Sequence, residues 1–114
     1  MSKKEYKYID TESKELFDIN VKARALTKEY SQTNYDDFEK KDAILKELFG
    51  SIGKNVAIDV NFFCDFGSNI FIGDDVIINS NCTFIDNEKI TIGNKVLIAP
   101  NVQIYTAYHP LLPE

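Results

Sequence analysis

A register of 20 residues runs through the second half of this chain: Ile52-Gly53 opens one stretch, Ile72-Gly73 the next and Ile92-Gly93 the third. Superposing the stretches produces columns of like residues: Val56, Val76 and Val96; Ile58, Ile78 and Ile98; Phe62, Cys82 and Val102; Cys64, Phe84 and Ile104. Within a stretch the apolar positions recur every six residues, as in Ile52, Ile58, Cys64 and Ile70. Three hexapeptides plus two residues make one turn of a triangular parallel β-helix, in which each short strand lies on its equivalent in the coil below. Each flat side sends one large apolar side chain inward, and coils stack at strand spacing, roughly 4.8 Å. A slip of one residue would turn an apolar column outward, which is why the period is kept. The predicted fold is mainly β: a parallel β-helix of about three coils over residues 51–114.

Residues 1–50 have another character, charged and free of glycine until Gly50. Leu16, Ile19, Ala23, Leu26 and Tyr30 recur at helical spacing, as do Phe38, Ile44, Leu45, Leu48 and Phe49, with Gly50 as the expected C-terminal stop and Ser31 to Asn34 as the turn between two helices. A β-helix has an end whose strands lack a partner, so a helical cap is the expected cover against edge-to-edge association.

At 114 residues the chain is long enough for one modest core. A net charge of −5 and no basic cluster interleaved with aromatics argue against nucleic acid as a partner. No apolar run approaches the ~20 residues needed to cross a bilayer, and the opening MSKKEYKY lacks the apolar core of a signal peptide, so a cytoplasmic address is expected. Cys64 and Cys82 fall in inward columns and behave as small hydrophobes; lying in different columns, they are not expected to form a disulfide. One histidine, inward thiols and scattered carboxylates offer no metal cluster.

Asn61, Asn81 and Asn101 form a full column, as tight corners with left-handed backbone demand. Asn79 is different. Its column holds Asp59 and Ala99, so no stacking rule demands an amide there, and it is a site candidate. His109, in Tyr105-Thr106-Ala107-Tyr108-His109-Pro110-Leu111, shares a column with Asn69 and Lys89 on an outward corner. On spacing alone a single histidine is more often incidental than catalytic.

The run from Ile92 to Leu111, with Gly67 to Gly73, Asn79 to Asp86 and Leu16-Phe17-Asp18, resembles the maltose and galactoside O-acetyltransferases, the hexapeptide-repeat sugar acetyltransferases. The Ile-Gly hexapeptides are shared by many acyltransferases, whereas the Tyr-Thr-Ala-x-His-Pro run is specific. The resemblance implies a left-handed coil, acetyl transfer from acetyl-CoA to a sugar hydroxyl, and a homotrimer with active sites between subunits. It assigns His109 as general base and Asn79, lent by a neighbouring chain, as the amide that binds acceptor or thioester and steadies the oxyanion. It assigns Asp18 to acceptor binding, and sets Asp65, Asp86 and Asn87 near the sugar. Asp65 replaces a serine of the galactoside enzymes, and Lys22 or Arg24 only loosely replaces the family's arginine. Family members continue beyond the position of Glu114 through coils that supply most of the acetyl-CoA groove. Two functions are therefore open: the acceptor-binding and catalytic half of an acetyltransferase, or a non-catalytic remnant that serves as a trimeric assembly module.

Overall fold

The computed structural model describes residues 11–106, and the 20-residue register organises all of them beyond the cap. Helix α1 (Thr11–Ser31) and helix α2 (Phe38–Leu48) precede nine strands: β1 (Ser51–Ile52), β2 (Val56–Ile58), β3 (Phe62–Cys64), β4 (Ile70–Ile72), β5 (Val76–Ile78), β6 (Cys82–Ile85), β7 (Ile90–Ile92), β8 (Leu97–Ile98) and β9 (Gln103–Tyr105). They form three parallel sheets, β1-β4-β7, β2-β5-β8 and β3-β6-β9, one per side of a left-handed β-helix. Pairing follows the sequence columns: Ile52 opposes Ile72 and Ile72 opposes Ile92; Ile58, Ile78 and Ile98 stack, as do Cys64, Phe84 and Ile104.

The inward columns are the core. Ile70, Val76, Ile78, Cys64 and Phe84 are fully buried, so both thiols of this chain act as apolar filler and remain unpaired. Corners carry left-handed backbone, which short polar residues tolerate most cheaply: Asn61, Asn81 and Asn101 all have positive φ, and the Asn61 amide Nδ2 donates to Asn81 Oδ1 at 3.2 Å.

The cap closes the lower end. Asp37 caps α2 by accepting from the Lys40 N–H, and Phe49 at its other end meets Phe62 edge-on at 5.7 Å, which meets Phe84 edge-on at 5.1 Å. These rings continue the coil interior into the helices. Gly50 does a different job from the one its position suggests. Phe49 already ends the helix in extended conformation, and the Gly50 N–H turns onto the Ile70 carbonyl at 2.9 Å. A Cβ here would lie 2.5 Å from the Ser68 carbonyl oxygen and 2.7 Å from the Phe71 ring, so the glycine permits close docking of cap on coil.

Helix α1 lies on the third sheet through Ala23, Leu26 and Tyr30, all buried. Leu16 and Ile19, on the same predicted stripe, are exposed, and so is Phe38. The Asn20 amide bonds to the Asp65 carbonyl of the coil, and the burial of α1 is carried by Ala23, Leu26 and Tyr30 beyond it.

Candidate active site

Two corners of the prism carry the site candidates, and they are different corners. Asp65 follows β3, and Asp86 and Asn87 follow β6, at the turn from the third sheet to the first. Asn79 follows β5, at the turn from the second sheet to the third. Within one chain the fold does not bring Asn79 to the other group.

The first corner is assembled by backbone donors around one carboxylate. Asp86 Oδ1 accepts the N–H groups of Asp65 at 3.1 Å and Phe66 at 2.9 Å, and Oδ2 accepts that of Asn69 at 3.3 Å. Asn69 Nδ2 returns to the Asp86 carbonyl at 2.8 Å and the Asn87 carbonyl at 3.5 Å. Asp86 is completely enclosed, Asp65 half-buried and Asn87 exposed. Burial pushes the Asp86 carboxyl above the usual carboxylate range, and the backbone N–H groups of Phe66, Asn69 and Gly67 pull in the other direction without cancelling it. The resemblance sets Asp86 near the sugar, and within this chain its side-chain oxygens are engaged by the backbone of residues 65–69.

Helix α1 borders the same corner. Asn20 Nδ2 donates to the Asp65 carbonyl at 2.8 Å, Arg24 Nε donates to Asn20 Oδ1 at 3.2 Å, and the Arg24 guanidinium lies 5.1 Å above the Phe63 ring. A cleft of about 440 Å³ opens between α1 and the outer face of the third sheet, toward the corner that carries Asn61 and Asn81; Arg24, Thr27, Lys28 and Phe63 also line it. Asp18 is exposed, in an ion pair with Lys14 at 3.2 Å. Thr106, the last described residue, closes the corner from above: its hydroxyl donates to the Ile85 carbonyl at 2.8 Å and accepts the Glu88 N–H at 2.9 Å. His109 lies outside the described residues. Asn20 and Thr106 were not singled out in the sequence; a polar residue amid the helix's apolar stripe is the signal that marks Asn20.

At the second corner, Asn79 Nδ2 donates to the Ile98 carbonyl at 2.8 Å, so its amide is anchored to the next coil while Oδ1 is left available at the rim. The groove beside it, about 700 Å³, runs between α2 and the second sheet, over Tyr30, Phe38, Leu45, Ala57 and Ile77. The outward column of this sheet is Ala57, Ile77 and Leu97, with Ile77 50% and Leu97 71% exposed. On the third sheet the outward Phe63 is sheltered by Arg24, and on the first Lys89 lies over Phe71. Among the described residues no group of three or more histidine, cysteine, aspartate or glutamate side chains could hold a metal ion, and no helix is long and apolar enough to cross a membrane.

A helical cap on a left-handed coil of hexapeptides, with amides and carboxylates at its corners, defines the class of hexapeptide-repeat proteins. Residues 7–53 match the maltose acetyltransferase hexapeptide capping motif. The chain is 34% identical over 91 residues to the galactoside O-acetyltransferase of Escherichia coli, covering 80% of this chain and 45% of that protein. Its fold superposes on a maltose O-acetyltransferase from Clostridium difficile with a TM-score of 0.80 at 45% identity, over 84% of this chain and 51% of that one. A hexapeptide-repeat acetyltransferase from Vibrio cholerae, solved in complex with acetyl coenzyme A, aligns with a TM-score of 0.80 at 38% identity, over 92% of this chain and 56% of that one. The chain belongs to the maltose and galactoside O-acetyltransferase family. It spans about half the length of the curated relatives it matches.

Proposed function

We propose that the chain is the acceptor-binding and catalytic half of an acetyl-CoA-dependent sugar O-acetyltransferase that works as a homotrimer. The observation that carries this reading is the separation of Asn79 from the corner of Asp65 and Asn87: a site using both needs two copies of the chain. The acceptor lies against α1 and the corner, with Asp18, Asp65 and Asn87 available to its hydroxyls. His109 takes the proton of one hydroxyl as that oxygen attacks the thioester carbonyl; a C–O bond forms, the C–S bond breaks, and the proton passes to the departing thiolate. An imidazole with an unperturbed pKa of ~6.5 suits both transfers. The neighbour's Asn79 donates to the developing oxyanion once the chain-internal bond to Ile98 yields or shares its second N–H.

A second reading is a non-catalytic trimeric assembly module, favoured by the bare apolar column Ala57, Ile77 and Leu97. Thiol release from acetyl-CoA in the presence of maltose or galactosides separates the two. The enzyme reading expects acceptor-dependent release that falls roughly 100-fold or more in His109→Ala; absent release together with retained self-association favours the module.

A further inference from the structure

Among the described residues, Asp86 is the only charged side chain that is fully buried. A carboxylate in such a place costs several kcal/mol unless hydrogen bonds replace its water. Here three backbone N–H groups do so, and all belong to one loop, residues 65–69. The loop makes one turn of its own, with the Ile70 N–H donating to the Gly67 carbonyl at 3.0 Å; Gly67, at φ +78, is wedged beneath Leu48 of α2, and the loop is tied to its surroundings by Asn20 at the Asp65 carbonyl and by Asn69 reaching back to residues 86 and 87. The carboxylate thus sits at the centre of the loop that presents Asp65, and its own residue is covalently joined to Asn87.

We propose that Asp86 is a positioning residue rather than a sugar ligand: its carboxylate clamps the 65–69 loop so that Asp65 and Asn87 meet the acceptor in fixed geometry. The inference rests on the acetyl-transfer reading. Asp86 has no exposed surface, so an acceptor hydroxyl has no route to either oxygen while the loop is in place, and Asp86 contributes to affinity only through its neighbours.

Asp86→Asn is the informative change, because its Oδ1 still accepts from residues 65 and 66 while its Nδ2 opposes the Asn69 N–H. Acetyl transfer by the protein is measured with methyl β-galactoside and its monodeoxy analogues, alongside amide hydrogen exchange. D86N is expected to raise the acceptor KM roughly 10- to 100-fold by misplacement, by the same factor for every analogue, with the KM for acetyl-CoA unchanged. The amides of Asp65, Phe66 and Asn69 exchange faster while those of Ile78 and Ile92 do not. A factor that vanishes for one deoxy analogue identifies a direct bond to that hydroxyl and overturns the proposal, and so does an equal rise in the acetyl-CoA KM. If the unaltered protein transfers nothing to the galactoside, the acetyl-transfer reading fails instead; the clamp is then judged on exchange alone, and unchanged rates at those three amides overturn it.

Discussion

The Tyr30 hydroxyl donates to the Ile58 backbone carbonyl at 2.5 Å, so the last turn of α1 is bonded to strand β2 across a buried interface. The bond joins cap and coil, as the Asn20 bond to the Asp65 carbonyl does at another point, and it has a measurable signature. Burial, with the Asp59 charge adding to it, pushes the Tyr30 hydroxyl up to about 12. Since the folded value exceeds the unfolded value of about 10, the folded chain holds this proton more tightly; the contribution is complete below about pH 10 and is lost as pH rises toward 12. The loss amounts to about 2 to 3 kcal/mol at the upper end. Tyr30→Phe should cost about 1 kcal/mol at neutral pH and flatten this alkaline slope, as read by denaturant midpoints across the range.

Asp86 has the same sign at the acidic end. Its folded pKa is raised, so folding favours the protonated form; the contribution of this group is greatest below about pH 4 and declines as pH rises through the folded value. The stability of the wild type minus that of Asp86→Asn, which does not ionise, should therefore fall as pH is raised from about 3.5 to 7. A difference that grows with pH contradicts the burial argument. Asp86→Ala, leaving three part-buried N–H groups without this acceptor, should cost more than Asp86→Asn at every pH.

Gly67 and Gly93 should differ sharply in their response to alanine. At Gly67 a Cβ lies 2.6 Å from both Leu48 Cδ1 and the Leu48 carbonyl oxygen, and φ is +78. Gly67→Ala should destabilise by about 2 to 4 kcal/mol, the sum of left-handed strain and overpacking. At Gly93 a Cβ meets nothing within 4 Å, and Gly93→Ala should be within about 0.5 kcal/mol of neutral. Chemical denaturation of the pair checks both.

The thiols should be silent until the coil opens. Cys64 and Cys82 are buried, and burial, with Asp86 and Asp65 adding to it, drives the Cys64 thiol far above its ordinary value. Alkylation by iodoacetamide should be slower than for an unfolded control by a factor of about 1,000 or more and should accelerate with denaturant in step with unfolding. Rapid native labelling would mean that the inward columns are wrongly assigned.

The β-helix was legible because its period is a steric necessity: each of Ile52, Ile72 and Ile92 must find the next, and pairing follows that register. The helices were legible from their apolar spacing, but not which part of α1 is buried, since Leu16 and Ile19 are as apolar as Leu26. Periodicity says which face is buried and not how far the partner extends. The roles of Gly50 and Asp86 were hidden for a related reason. Both depend on backbone groups of a distant loop, and main-chain donors leave no trace in residue identity. The Asn61, Asn81 and Asn101 column could be read from sequence because corners select residue type directly.

Since every strand of the prism answers to one 20 places away, length in this architecture is quantised. A segment duplicated or removed in whole windings restores every column, and the molecule grows like a spring gaining a loop of wire, ~4.8 Å at a time. A change of one residue instead trades isoleucine for solvent along everything downstream. Variation in such proteins is thereby channelled into the number of windings and into the decorations at their vertices, leaving the cross-section untouched.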